Sequence, residues 1–302
     1  MITLTLLFFL LSFLCYRFVF YSSPRKRTET LTPPPEVQSE ENRHTMSALI
    51  EELTAIPYET VCINSYDGTR LCGLYYHVRD GAPLHIQFHG YVGFPRRDLC
   101  GGSKLAREAE HNYLLVYQRA HGKSGGKTIT FGVKERKDCL AWLDYVIKRF
   151  GENTPIYLVG VSMGASTVLM AAEFPLPTAV KAIVADSPFT TPDAIIQKVC
   201  KDMRVPRFLA MPALRTGARL FGKFSTRGAS CLSAISKTTV PVLLLHGEND
   251  GFVPCDMSRE LYAARGQADV TLVTFPQADH ALSYIVAPKE YTKAVNEFLH
   301  RL

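Results

Sequence analysis

The chain has 302 residues, 47% hydrophobic and 21% charged, with a formal net charge of +6 at pH 7. This composition excludes collagen-like, low-complexity and wholly disordered chains, and the length suits one large α/β domain or two small ones. The 8 cysteines form no Cys-x-x-Cys pair and no Cys/His cluster with zinc spacing, so no metal or cofactor is expected, and reduced, mostly buried thiols in a reducing compartment are.

The chain opens on "MITLTLLFFLLSFLCYRFVFYSSPRKR", apolar from Ile2 to Tyr21 apart from a few Thr and Ser and Arg17. About 20 helical residues cross a hydrocarbon core of about 30 Å, and Arg17 lies near one end, where its stem can snorkel among Tyr16, Phe18, Phe20 and Tyr21. A cleavable signal peptide is the competing reading, but no Lys or Arg precedes the run and nothing after it resembles Ala-x-Ala. Residues 1–22 are therefore predicted as an uncleaved membrane anchor. Arg17, Arg25, Lys26 and Arg27 flank its C-terminal side, which predicts the body of the protein on the cytoplasmic face. The proline-rich, acidic stretch that follows reads as a disordered linker over 23–42, with the folded domain over 43–302.

From Thr60 the pattern becomes regular. "TVCINSYDGTRLCGLYYHV" reads as two strands joined at Asp67-Gly68. Further strands are predicted at "PLHIQFHG", "YLLVYQRA", "PIYLVGVS", "VKAIVADSP", "VPVLLLHG" and "VTLVTFP". Helices are predicted at "LCGGSKLAREAEH", "KERKDCLAWLDYVIKRFG", "MGASTVLMAAEF", "CDMSRELYAARG" and "PKEYTKAVNEFLHR". After the first pair the strands are continuous apolar runs, as in a parallel sheet covered by helices on both faces. The alternation of strand and helix predicts one doubly wound α/β domain of about eight mostly parallel strands. "HGKSGGK" at 121–127 resembles the end of a P-loop, but Tyr117 stands where its first glycine belongs, so nucleotide binding is rejected.

Ligands of such a sheet sit at the carboxyl ends of the strands. Ser162 falls there, in Gly-Val-Ser-Met-Gly between a strand and a helix, the setting of a nucleophile elbow. Asp250 in "LLLHGENDGFVP" and His280 in "FPQADHALSY" follow the last two strands; Asp186, after "AIVA", is a second candidate acid. Serine needs a base to take its proton, which assigns His280 as base and then acid, with Asp250 holding its tautomer. The oxyanion requires preorganised donors, expected to be the backbone N–H groups of Met163 and Tyr91.

"FHGYVG", "YQRAHGKSGG", "GVSMGAS", "GENDGFVP" and "ADHALSY" together resemble the α/β-hydrolase superfamily, and most of all bacterial serine hydrolases of the lysophospholipase, monoacylglycerol-lipase and serine-aminopeptidase-like branch. The resemblance covers roughly Glu59 to Leu302. It implies the α/β-hydrolase fold, the Ser-Asp-His triad and a short helical lid inserted at about 191–239. One block departs: the family usually has Asp-x-Arg-Gly-His-Gly-x-Ser, and this chain has Gln118-Arg119-Ala120-His121-Gly122-Lys123-Ser124. A serine nucleophile, not an aspartate, argues against epoxide hydrolase or dehalogenase chemistry.

The stretch 191–239 carries nine basic and two acidic residues, a net of +7. A solvated basic face and a lid touching an anionic membrane or acyl substrate both fit; no aromatic-interleaved motif suggests nucleic acid. The expected activity is hydrolysis of a carboxylic ester of an acyl or lipid-like substrate. A thioesterase or aminopeptidase on the same triad, and a non-catalytic binding protein, are the alternatives.

Overall fold

The apolar runs become strands in a computed structural model that describes residues 2–35, 37, 39–265 and 269–302. Met1 of the expected anchor, Glu36 and Gln38 of the expected linker and Gly266 at the end of an expected helix lie outside the described residues. β1 (Glu59–Asn64) and β2 (Arg70–Tyr76) form the hairpin, with Gly68 in its turn at φ +76°, a left-handed conformation that glycine adopts without steric cost. β3 (Leu84–Phe88), β4 (Asn112–Tyr117), β5 (Ile156–Val161), β6 (Val180–Asp186), β7 (Val242–Gly247) and β8 (Val270–Phe275) complete one eight-stranded sheet. Its order is β1-β2-β4-β3-β5-β6-β7-β8. β2 runs antiparallel to both neighbours, and every other pairing is parallel.

Strands β3, β4 and β7 are buried on both faces. Along β4, Leu114 and Val116 join one apolar layer while Tyr113, Leu115 and Tyr117 join the other. N-terminal to the sheet lie α1 (Ile2–Cys15), a π-helical turn (Tyr16–Phe20), α2 (Pro24–Arg27) and α3 (Glu40–Ala55). α4 (Pro95–Asp98) and α5 (Cys100–Glu108) lie between β3 and β4, α6 (Glu135–Phe150) between β4 and β5, and α7 (Met163–Ala171) between β5 and β6. α8 (Pro192–Asp202), α9 (Arg207–Leu220) and α10 (Cys231–Ile235) lie between β6 and β7, and α11 (Asp256–Arg265), α12 (Ser283–Val286) and α13 (Pro288–Leu299) close the chain. α6 buries Cys139, Trp142, Leu143 and Val146 at helical spacing, and Gly151 ends it at φ +96°.

Two expectations are corrected. Cys62 and Cys72 stand opposite one another in the β1–β2 register, their Cα atoms 4.1 Å apart, and are joined by a disulfide. Cys15, Cys100, Cys139, Cys200, Cys231 and Cys255 are free. With one pair oxidised, the cysteines no longer favour a reducing compartment. The second correction concerns 23–42. Arg27 donates to the carbonyls of Gly122, Ser124 and Gly126, Glu29 accepts from Arg96 and from the Tyr117 hydroxyl, and Val37 is buried. Scattered polar anchors and one buried valine hold this stretch to the body, and such contacts leave no periodicity to read. Helix α3 then starts behind an Ser39 cap and buries Met46, Ile50 and Leu53.

The N-terminal helix also touches the body. Thr3–Phe20 has a mean hydropathy of 2.0 and is long and apolar enough to cross a membrane, yet its last turn enters the core, where Phe20 is fully buried against Phe131 and Phe224. α1 packs on α9 at Gly217, where a Cβ would stand 2.3 Å from the Ser12 carbonyl oxygen. Phe13 meets the Phe221 ring edge-on at 5.2 Å beside this contact.

Candidate active site

Ser162 sits between β5 and α7 with φ +56° and ψ −117°, a conformation sparsely populated by non-glycine residues, at a cost of about 1–3 kcal/mol. The flanking glycines make this turn possible. A Cβ on Gly160 would lie 2.4 Å from the Gly164 carbonyl, and one on Gly164 would lie 2.0 Å from the Phe88 carbonyl oxygen. The elbow is therefore pressed onto the end of β3, and its helix starts at the serine with its dipole favouring negative charge there.

The structure brings the three distant residues together. His280 Nε2 is 2.8 Å from Ser162 Oγ, and His280 Nδ1 is 2.7 Å from Asp250 Oδ2. Asp250 is buried and fully engaged: Oδ1 accepts from the backbone N–H groups of Phe252 at 2.9 Å and Val253 at 2.7 Å. Burial alone would push its carboxyl up, but hydrogen bonds from His246 and His280 outweigh that and hold it well below the usual carboxylate range. Asp186, the other candidate acid, does not take this place. Its carboxylate accepts from Ser187 Oγ at 3.0 Å, and burial pushes it up to about 6. Its backbone carbonyl instead accepts the Ser162 N–H at 2.8 Å.

His246 was not singled out in the sequence. Its Nε2 lies 2.9 Å from the Val253 carbonyl, which can only accept, so that nitrogen carries a proton and also faces Asp250 Oδ2 at 3.2 Å. Its Nδ1 is 2.6 Å from Ser258 Oγ. Its signal was a histidine at a strand end, four residues before the acid in "HGEND". His246 is a positioning residue. His246→Gln is expected to lower kcat about tenfold with little change in KM, and to destabilise the fold by about 1–3 kcal/mol by unpairing buried groups. A kcat and KM measurement beside a urea titration checks this; loss of stability with unchanged kcat would reduce the residue to packing.

The loop after β3 curves over the serine: a Cβ on Gly90 would stand 3.5 Å from Ser162 Cβ. Four side chains hold it. Gly90 N–H donates to Asp98 Oδ2 at 3.2 Å, and Val92 N–H to His121 Nε2 at 3.1 Å. His89 donates from Nδ1 to the Gly90 carbonyl while its Nε2 accepts the Gln118 N–H, and Gln118 Nε2 donates back to the His89 carbonyl. Both histidines are thus neutral, and burial pulls them down, His89 to about 4 and His121 to about 3. Tyr91 is pinned by its hydroxyl, which donates to the Val19 carbonyl at 2.6 Å, and by its ring on Phe131. Met163 is buried as the first residue of α7. Among the described residues, neither the Tyr91 nor the Met163 backbone N–H is engaged by a hydrogen bond.

The departing block is scaffolding. Arg119 forks onto Asp138 at 2.5 and 2.6 Å and reaches Asp67 at 2.9 Å, and Ser124 Oγ bridges the Tyr117 carbonyl and the Cys72 N–H. Ala120 adopts φ +64° where the resemblance leads one to expect glycine. Arg119→Met is expected to cost about 3–5 kcal/mol by leaving Asp138 buried and unpaired; an unchanged denaturation midpoint would contradict it. Among the described residues no group of three or more His, Cys, Asp or Glu is disposed to hold a metal ion.

Comparison with known proteins identifies the family. The model of the prolyl oligopeptidase family matches residues 128–302, more than half of the chain. The Bacillus subtilis protein YqkD is 29% identical over 192 residues, covering 63% of this chain and 63% of that protein. Lysophosphatidylserine lipase ABHD12 of Macaca fascicularis is 26% identical over 179 residues, covering 54% of this chain and 42% of that protein. The chain thus spans less than two thirds of the length of both relatives. Among solved structures, the Pyrococcus furiosus esterase Pf2001 superposes with a TM-score of 0.68 at 25% identity, covering 90% of this chain and 98% of that one. The chain belongs to the prolyl oligopeptidase family, within the α/β-hydrolase superfamily.

Proposed function

We propose that the protein hydrolyses a carboxylic ester of an acyl or lipid-like substrate through an acyl-enzyme on Ser162. The observation that carries this is the alignment of Ser162, His280 and Asp250 at 2.8 and 2.7 Å. Ser162 Oγ attacks the ester carbonyl while His280 Nε2 takes its proton, and the paired Asp250 carboxylate stabilises the imidazolium. The N–H groups of Met163 and Tyr91 receive the oxyanion. His280 returns the proton to the departing alkoxide, then takes one from the water that attacks the acyl-enzyme, releasing the acid and restoring Ser162. A relative that is a lysophosphatidylserine lipase and a structural neighbour that is an esterase support an ester.

Residues 1–22 carry the membrane anchor, whose lipid-facing part is the exposed face of α1, while Tyr16, Phe20 and Ser22 are buried in the body. The cations Arg17, Arg25, Lys26 and Arg27 flanking the apolar run support a catalytic domain on the cytoplasmic side, whereas the Cys62–Cys72 disulfide favours an oxidising compartment. The helices at about 191–239 form the lid, supported by Lys198 of α8, which donates to the Gly251 carbonyl beside Asp250.

Membership of a peptidase-named family favours amide hydrolysis as a second reading. Initial rates of the purified full chain on p-nitrophenyl esters of graded acyl length, acyl-CoA thioesters and aminoacyl amides separate the two. Faster turnover of esters supports the proposal; faster turnover of amides or thioesters replaces it.

A further inference from the structure

Only part of the N-terminal apolar run stands clear of the body. Tyr16 and Phe20 are buried and Tyr21 bridges to Thr128, whereas Leu4, Leu6, Leu7, Leu10 and Leu14 of α1 are exposed. An apolar helix that inserts in lipid brings the elements packed against it to the membrane surface. The part of the body joined to α1 is α9, through the Gly217–Ser12 contact.

α9 and the corner before it have the surface such a position requires. Phe208 is 77% exposed, and Leu209, Met203 and Val205 are exposed with it. Beside them is an open groove of about 690 Å³ between α8 and α9, lined by Lys201, Arg204, Arg207 and Arg215 together with Phe208 and Met211, and by no carboxylate-bearing residue. Arg215 is already paired with Asp193 and Arg207 leans on Gln197, but among the described residues Lys201, Arg204 and Arg207 have no carboxylate partner. Exposed aromatic and aliphatic side chains next to unpaired cations match the two layers of a leaflet, acyl chains and anionic headgroups.

We propose that the α8–α9 corner docks into an anionic leaflet, with Met203, Val205, Phe208 and Leu209 among the acyl chains and the basic groove holding headgroup phosphates or carboxylates. The docked corner sets the catalytic body against the membrane: Val19, just beyond α1, accepts the hydroxyl hydrogen bond of Tyr91. The proposal concerns membrane contact and does not depend on which bond is hydrolysed.

The test uses the full chain reconstituted in vesicles. The protein has a single tryptophan, Trp142, buried under the sheet, which serves as a lipid-inaccessible reference. Phe208→Trp adds a reporter at the corner. Brominated acyl chains are expected to quench and blue-shift the new emission in phosphatidylcholine–phosphatidylserine vesicles and much less in phosphatidylcholine alone. Lys201→Glu, Arg204→Glu and Arg207→Glu together are expected to return the quenching to the neutral-lipid level while Trp142 emission is unchanged. Inorganic phosphate added to the detergent-solubilised chain is expected to leave the emission unaltered. A water-like, unquenched reporter in both vesicles overturns the docking. Equal quenching in both overturns the role of the basic groove, and a shift on adding phosphate alone replaces the leaflet with a free-phosphate site.

Discussion

Ser162→Ala is expected to lower kcat by about 10⁴- to 10⁶-fold with KM nearly unchanged. The oxygen lost is the one 2.8 Å from His280 Nε2, and among the described residues no other hydroxyl is hydrogen-bonded to that nitrogen. The variant should fold. Alanine accepts φ +56° at about the same cost as serine, the elbow is built by Gly160 and Gly164, and the Ser162 N–H still reaches the Asp186 carbonyl. Residual turnover above the uncatalysed rate is expected from binding and the oxyanion donors. Ester hydrolysis rates beside labelling with a fluorophosphonate check this. A variant that the fluorophosphonate still labels, or that turns over within tenfold of the parent, removes Ser162 from the chemistry.

The sheet was legible because its central strands are buried on both faces. Val, Leu and Ile runs such as "PVLLLHG" have few places to go except between two helical layers, and the chain alternates them with amphipathic stretches. The three candidate triad positions were legible because each stands at the carboxyl end of a strand, where topology alone brings them close. What was not legible depended on contacts between single residues far apart in the chain. Cys62 and Cys72 are unremarkable as a pair until the hairpin register sets them face to face. Arg27 and Glu29 look like linker charges until Gly122, Ser124, Gly126, Arg96 and Tyr117 are in place around them. His246 reads as a strand-end residue, since its role comes from a carboxylate on the following turn.

The same logic gives the N-terminal run two characters. Its composition is that of a membrane span, but Tyr16, Phe20 and Ser22 belong to the folded body, where Ser22 Oγ donates to the Ala120 carbonyl. One apolar segment thus combines a span-like composition with part of the packing beneath the loop that carries Tyr91.

Asp250→Asn is expected to lower kcat by about 10⁴-fold at neutral pH with Ser162 intact. The amide is nearly isosteric, so the effect comes from hydrogen-bond polarity. Oδ1 accepts two backbone N–H groups, from Phe252 and Val253, and the amide oxygen must stay there. The amide NH₂ then replaces Oδ2, facing His280 Nδ1 and the proton on His246 Nε2. Toward His280 it forces the wrong tautomer, with the proton on Nε2 against Ser162; toward His246 it sets donor against donor. Stability carries an independent signature. The Asp250 carboxyl titrates below its unfolded value of about 3.9, so its contribution is fully present above that pH and is lost as pH falls through the folded value. The stability gap between parent and variant should therefore be greatest at neutral pH and narrow below about pH 4. His89 and His121, whose folded values lie below the unfolded value of about 6.5, weaken both proteins alike as pH falls from there and cancel from the difference. Thermal unfolding of both proteins across the acid range reads the gap directly; a gap that widens toward low pH would mean that Asp250 is not held as a carboxylate between its two histidines.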